Sequence, residues 1–174
     1  MTAPDAHRGV TVLEVEPLTA AAFAPFGEVI QTADAATRVI NAGSTLRFHD
    51  LCRIDTGPEG RALFNIFRAS PLALPIDIRA LEKHPLGSQA FMPLNQARFL
   101  VVVAEPVARP QTRHLRAFVT DGRQGVNYRR DTWHHFVLAL DAVTDFVVID
   151  RDGPGANCDE IALDEAVRLR WPAV

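Results

Sequence analysis

Two stretches of the chain carry side chains suited to acid–base or metal chemistry. One is GVNYRRDTWHH, Gly125 to His135, and the other is EKHPLGSQAFMPL, Glu82 to Leu94, in which Glu82, His84 and Gln89 are spaced E-x-H-x4-Q. Imidazole is the side chain whose unperturbed pKa lies nearest physiological pH, and it is also a common metal donor. In an extended chain, successive side chains point to opposite faces. His134 then shares a face with Phe136, Leu138 and Leu140, and His135 with Trp133, Val137 and Ala139. The first set is the bulkier, so its face is expected to look into the interior, with His134 serving the site and His135 the structure. A histidine at the head of an apolar strand also serves often as a hydrogen-bonded core residue, and that alternative stands beside the functional one. Small barrels that bind a metal in the mouth draw two or three ligands from one strand–turn segment and a further His from a later strand, which fits both stretches together.

Short apolar runs position these residues. RFLVVVAEP, HLRAFVT, HHFVLAL and DFVVID follow one another from Gln96 onward, rich in Val, Ile and Phe, and predict strands. Pro106 with Pro110, Asp121-Gly122 with Gly125, and Asp141 punctuate them. Gaps this short cannot hold a parallel crossover, so the pairing is expected to be largely antiparallel. Helical signals are few: Thr19 is a cap for TAAAFAPFGE, limited by Pro25, while Pro75 to Lys83 and Asp159 to Leu169 are short amphipathic candidates. The expectation is a mainly β chain, an all-β barrel or sandwich with a few short peripheral helices.

Composition narrows the partners. A chain of 174 residues, 48% hydrophobic, is long enough for one sizeable core, and a single domain over 1–174 is expected, with residues 1–10 as a polar arm. The net charge of -3 and the absence of Lys/Arg clusters argue against a nucleic-acid surface. No stretch approaches the roughly 20 apolar residues that cross a bilayer, and MTAPDAHRGV lacks the apolar segment of a secretory signal, so a cytoplasmic location is expected. Cys52 and Cys158 have no metal or disulfide spacing and are expected as small buried or half-buried side chains.

On these motifs the chain resembles the cupin superfamily, whose first motif is spaced H-x-H with a Glu three or four residues later and whose second starts at a Gly and ends in a His. Glu82, His84 and Gln89 take the first-motif positions, with Glu82 where His is usual and Gln89 where Glu is usual; Gly125 to His134 resembles the second. More closely the chain resembles the ureidoglycolate lyase family. The matching segments run in order over most of its length: FHDL, EKHPLGSQAFMPL, FLVVVA, LRAFVTDGRQGVNY, WHH, TDFVVIDRDG and NCD. It departs at Phe136, where Pro is common, and at Asp131, where a small or amide residue is common.

The resemblance implies a cupin-type antiparallel β-barrel (a double-stranded β-helix), a homodimer, and the splitting of (S)-ureidoglycolate into glyoxylate and urea. That substrate is a carbinolamide, so a base must take the hydroxyl proton while an acid protonates the departing nitrogen, and a cation must hold the carboxylate. His84, His134, Gln89, Tyr128 and Asp150 are the expected catalytic group. Asp150 shares parity with Phe146 and Val148 and is expected to point inward. Arg68, Lys83, Arg47 and Arg116 are the candidates for the carboxylate; Arg68 shares parity with Phe64 and Ile66, which makes that face of its strand the expected inner one. Glu82, His84, Gln89 and His134 form a possible metal set, with nickel the first expectation, manganese the second, and a metal-free acid–base route the alternative. Two other functions remain open: an amidohydrolase that releases ammonia from the same substrate, and a non-catalytic small-molecule-binding module.

Overall fold

The structure is a computed structural model that describes residues 10–170, so the expected polar arm lies outside the described residues except for Val10. The architecture is mainly β. A six-stranded sheet contains β1 (Thr11–Pro17), β6 (Asp77–Lys83), β8 (Phe99–Ala104), β9 (Leu115–Val119), β11 (Leu138–Ala139) and β13 (Asp159–Arg170), in the order β11-β8-β9-β1-β13-β6. A five-stranded sheet contains β2 (Gly27–Ile30), β5 (Arg61–Ala69), β7 (Gln89–Pro93), β10 (Gly125–Tyr128) and β12 (Thr144–Asp152), in the order β2-β10-β7-β12-β5. A separate hairpin joins β3 (Ala36–Ile40) to β4 (Thr45–His49). Among the described residues the one α-helix, α1 (Ala20–Phe23), starts where Thr19 accepts from the Ala22 N–H at 3.2 Å, and it buries Phe23.

Strand β8 explains why FLVVVA is a continuous apolar run, since both of its faces are covered. Phe99, Val101 and Val103 join Phe91, Val126, Phe146 and Val148 of the five-stranded sheet, with Phe23 and Phe26, in the core between the sheets. Leu100, Val102 and Ala104 join Val15, Ile78, Leu81, Ala117 and Val167 in a second core. His134 exchanges backbone hydrogen bonds with Glu82 at 2.7 and 2.8 Å, while Trp133 and His135 bond Ala104 and Val102 at 3.0 and 2.9 Å. This segment lies between β6 and β8, so it returns the six-stranded sheet on itself around the second core. Most pairs are antiparallel, as expected, but β1 runs parallel to both β9 and β13. Its partners lie far along the chain, and the antiparallel inference from short gaps did not cover such long-range pairs.

Two expected helices are strands. Pro75 to Lys83 contains β6, and Asp159 to Leu169 is almost all of β13. In β13 Ile161, Leu163, Val167 and Leu169 turn inward, which is the period of a strand, and its Ala, Glu and Leu content did not decide the outcome. In β6 the step from Ile78 to Leu81 imitates a helical spacing because the register against β13 shifts between Ala162 and Val167. The described residues after Gly155 are therefore mostly strand. Cys158, expected buried or half-buried, is exposed, whereas Cys52 is half-buried.

Candidate active site

The side chains that matter come from six segments meeting between the sheets. The pairing of Tyr128 with Gln89, of Ile149 with Ala90, and of Asp150 with Leu63 sets Leu63, Asp150, Gln89 and Tyr128 in one row across the five-stranded sheet. Asp150 thus points inward with Phe146 and Val148, as its parity predicts. Facing this row, Glu82 ends β6, His84 follows it, and His134 sits between β6 and β8.

His134 is 1% exposed, and its ring stacks on Tyr128 with centroids 4.2 Å apart. Its Nδ1 lies 2.9 Å from the Thr132 carbonyl oxygen. A carbonyl only accepts, so Nδ1 carries the proton and Nε2 presents its lone pair. His84 is set the same way, with Nδ1 2.6 Å from the Asn157 carbonyl oxygen. Both Nε2 atoms are buried without a hydrogen-bond partner. One potential ligand atom from each of Glu82, His84 and His134 lies within 4.8 Å of the other two. His134 Nε2 and the Glu82 carboxylate face each other at 3.5 Å, and two acceptors so placed repel unless a positive charge stands between them. Two imidazole nitrogens and a carboxylate with tautomers fixed by backbone carbonyls fit a divalent cation. Glu82 also borders a surface hollow of about 230 Å³ with Ala80, Leu81, Phe136 and Glu160.

On the other side of the site, Asp150 accepts from the Asn65 amide at 3.1 Å, and Gln89 lies beside it in the sheet and favours its ionised form. Burial pushes its carboxyl above the ordinary range, and these contacts with His84 only partly offset that. Burial likewise raises the Tyr128 phenol well above its usual value, so it remains a donor. Among the described residues, the cationic side chains that shift the Glu82 and Asp150 pKa values are histidines.

The four candidates for the carboxylate clamp are engaged elsewhere or stand apart. Arg68 is correctly grouped with Phe64 and Ile66, but that face of β5 is the outer one, and Arg68 makes a two-pronged pair with Asp145 at 2.7 Å for each bond. The inward face carries Asn65, which parity arguments centred on Arg68 passed over. Arg116 binds Glu16 and the Ala22 carbonyl and lies over the Phe118 ring. Lys83 bonds Asp131 at 2.8 Å and sits 5.1 Å from the Trp133 ring centroid. Arg47 is exposed on β4, opposite Arg38.

The parity assigned around His134 also needs correction. Phe136, expected inside, is 54% exposed; Val137 and Ala139 pack in the core between the sheets, and Leu138 and Leu140 in the other. His134 and Leu138 are four positions apart, but their partners Val103 and Leu100 are only three apart. One extra residue therefore bulges and reverses the faces beyond it. His135 is buried as well, and burial lowers its pKa; it stays outside the three-ligand cluster, with Nδ1 3.0 Å from the Phe136 carbonyl oxygen.

The model of the family described as Ureidoglycolate lyase matches residues 10–170. A protein named ureidoglycolate lyase from Azotobacter vinelandii is 52% identical over 164 residues, 92% of this chain and 99% of its own. Proteins of the same name from Burkholderia mallei and Pseudomonas syringae pv. tomato are each 52% identical over 158 residues, covering 90% of this chain and 92% and 93% of theirs. With a match of this extent over the residues that build both sheets and the site, the chain belongs to the ureidoglycolate lyase family.

Proposed function

We propose that this protein splits ureidoglycolate into glyoxylate and urea. The observation that carries this reading is the division of one buried site into two chemistries, in a chain whose relatives bear the name of that reaction. On one side stand three potential ligand atoms, from Glu82, His84 and His134; on the other stands Asp150 between two amides. The hydroxyl proton must leave as the aldehyde C=O forms, the C–N bond breaks, and the nitrogen must gain a proton. Asp150, its pKa raised by burial, suits both transfers: its carboxylate takes the hydroxyl proton and returns it to the departing nitrogen. Tyr128, held protonated, donates to a substrate oxygen.

Glu82, His84 and His134 would hold a divalent cation, nickel first, which would supply Lewis acidity toward the carboxylate or hydroxyl oxygen. That positive charge also suits a site in which, among the described residues, histidines are the cationic groups that act on the acidic ones. The test is an assay of the metal-analysed protein on (S)-ureidoglycolate that follows glyoxylate, urea and ammonia. Equal glyoxylate and urea without ammonia is the expected result, and activity should fall at least about tenfold after chelation and return with nickel. Ammonia without urea would assign a hydrolase, and binding without turnover a non-catalytic module.

The working unit is a homodimer. In the β3–β4 hairpin, Val39 and Leu46 oppose each other and share a face with Phe48, and Val39 is 68% exposed. A lone two-stranded hairpin is marginally stable, so this face calls for a cover. Strand β5, the unpaired edge of the five-stranded sheet, exposes Phe64 and Ile66. A second copy brings the two surfaces together and removes both from water. Leu46→Glu is expected to halve the mass seen by light scattering; an unchanged dimer would place the interface elsewhere, and a monomeric wild type would refute the assembly.

A further inference from the structure

We infer that Gln89 is the residue that recognises the urea half of the substrate, through its side-chain oxygen. This rests on the lyase reading and goes beyond it by assigning the leaving group its acceptor. Gln89 is 7% exposed, and its Oε1 is buried with no hydrogen-bond partner. The orientation of the amide is not arbitrary. An ionised Asp150 has only acceptors to offer, and it already receives the Asn65 amide at 3.1 Å. The register places Gln89 beside that carboxylate, whose pKa it lowers as a donor does, so its NH2 is turned toward Asp150 and its unpartnered oxygen away. The register of β7 against β10 and β12 keeps Gln89 between Tyr128 and Asp150.

A buried acceptor without a donor is costly, and a ligand that brings an N–H removes the cost. The two halves of ureidoglycolate differ in this respect. The glyoxylate half carries only oxygen, with one O–H that must depart, whereas the ureido half carries N–H donors. Only the ureido half can supply Oε1 with an N–H. Asp150, next along the row, is then in place to protonate the departing nitrogen, and Asn65 acts as a positioning residue that holds Asp150. A small substrate with an ether or ester in place of the ureido group would leave Oε1 unpaired and be discriminated against.

The experiment compares wild type with Gln89→Met, which keeps the length and volume of the side chain and removes the acceptor. Urea and glyoxylate binding to the metal-loaded protein are measured by titration calorimetry, which needs no turnover, and as inhibition constants in the ureidoglycolate assay. Gln89→Met is expected to weaken urea binding at least about tenfold and to change glyoxylate binding by less than about twofold. Gln89→Glu, which keeps an oxygen acceptor but loses the donor that faces Asp150, should keep a urea-to-glyoxylate affinity ratio no lower than that of wild type. Equal weakening of both products, no change in either, or a loss of bound metal from Gln89→Met would overturn the assignment. Circular dichroism of each variant identifies a folding failure, in which case Gln89→Glu alone decides by its urea-to-glyoxylate ratio. Failure of the wild type to produce urea from ureidoglycolate would instead overturn the reaction, while the binding ratio would still report on Gln89.

Discussion

Replacing His134 with Ala is expected to lower ureidoglycolate turnover at least about 100-fold and to lower stability as well. The second effect follows from burial: the ring is 1% exposed, stacks on Tyr128 and bonds the Thr132 carbonyl, so its removal opens a cavity worth about 2 to 4 kcal/mol. His134→Phe separates the two effects, because it retains an aromatic ring against Tyr128 but has no Nε2. It should recover most of the stability, measured by guanidinium unfolding, while turnover remains at the Ala level. If the Phe variant recovers turnover, Nε2 has no part in the chemistry and His134 is a packing residue. His135→Ala should lower turnover far less, because that ring lies outside the ligand cluster. The reverse order of effects would mean that the bulge after His134 has been placed on the wrong residue.

Asp150→Asn should also lower kcat at least about 100-fold, with KM within about threefold of wild type, if this carboxylate carries the proton. Its stability should move the other way. Burial raises the folded-state pKa of Asp150 above its unfolded value, so protonation is favoured in the folded state. Stability from this group is then lost as pH rises through that raised pKa, and the charged form is a net cost above it. Asparagine keeps the shape and one acceptor for Asn65 and Gln89 but carries no charge, so the variant at pH 8 should melt no lower than wild type. A kcat within about threefold of wild type would reduce Asp150 to orienting Gln89. A large fall in melting temperature would show that both of its oxygens are needed as acceptors.

His84, Gln89, His134, Tyr128 and Asp150 were identified together from the sequence because each lies in a short motif whose residue types suit proton transfer or ligation. The structure does bring these side chains into one buried region. Asn65 was legible too, had the alternation of β5 been anchored on Leu63 rather than on Phe64 and Ile66. Those two large apolar residues drew the eye inward, yet Phe64 is 69% exposed. The roles of Asn157 and Thr132 had no sequence signal, because they act on His84 and His134 through backbone carbonyls, which every residue possesses.

By itself, then, the sequence determined the β character of the chain, the strands β8, β9 and β12, the family, and the residues able to do the chemistry, since these depend on local alternation and side-chain type. Only the tertiary structure decided which faces meet. One extra residue between His134 and Leu138 reverses the parity of everything after it, and a register shift makes β6 look helical in one dimension. The ion partners of Arg68 and Arg116 lie 77 and 100 residues away, and that removes both from the site. Such contacts are set by three-dimensional register, and local sequence period carries no record of it.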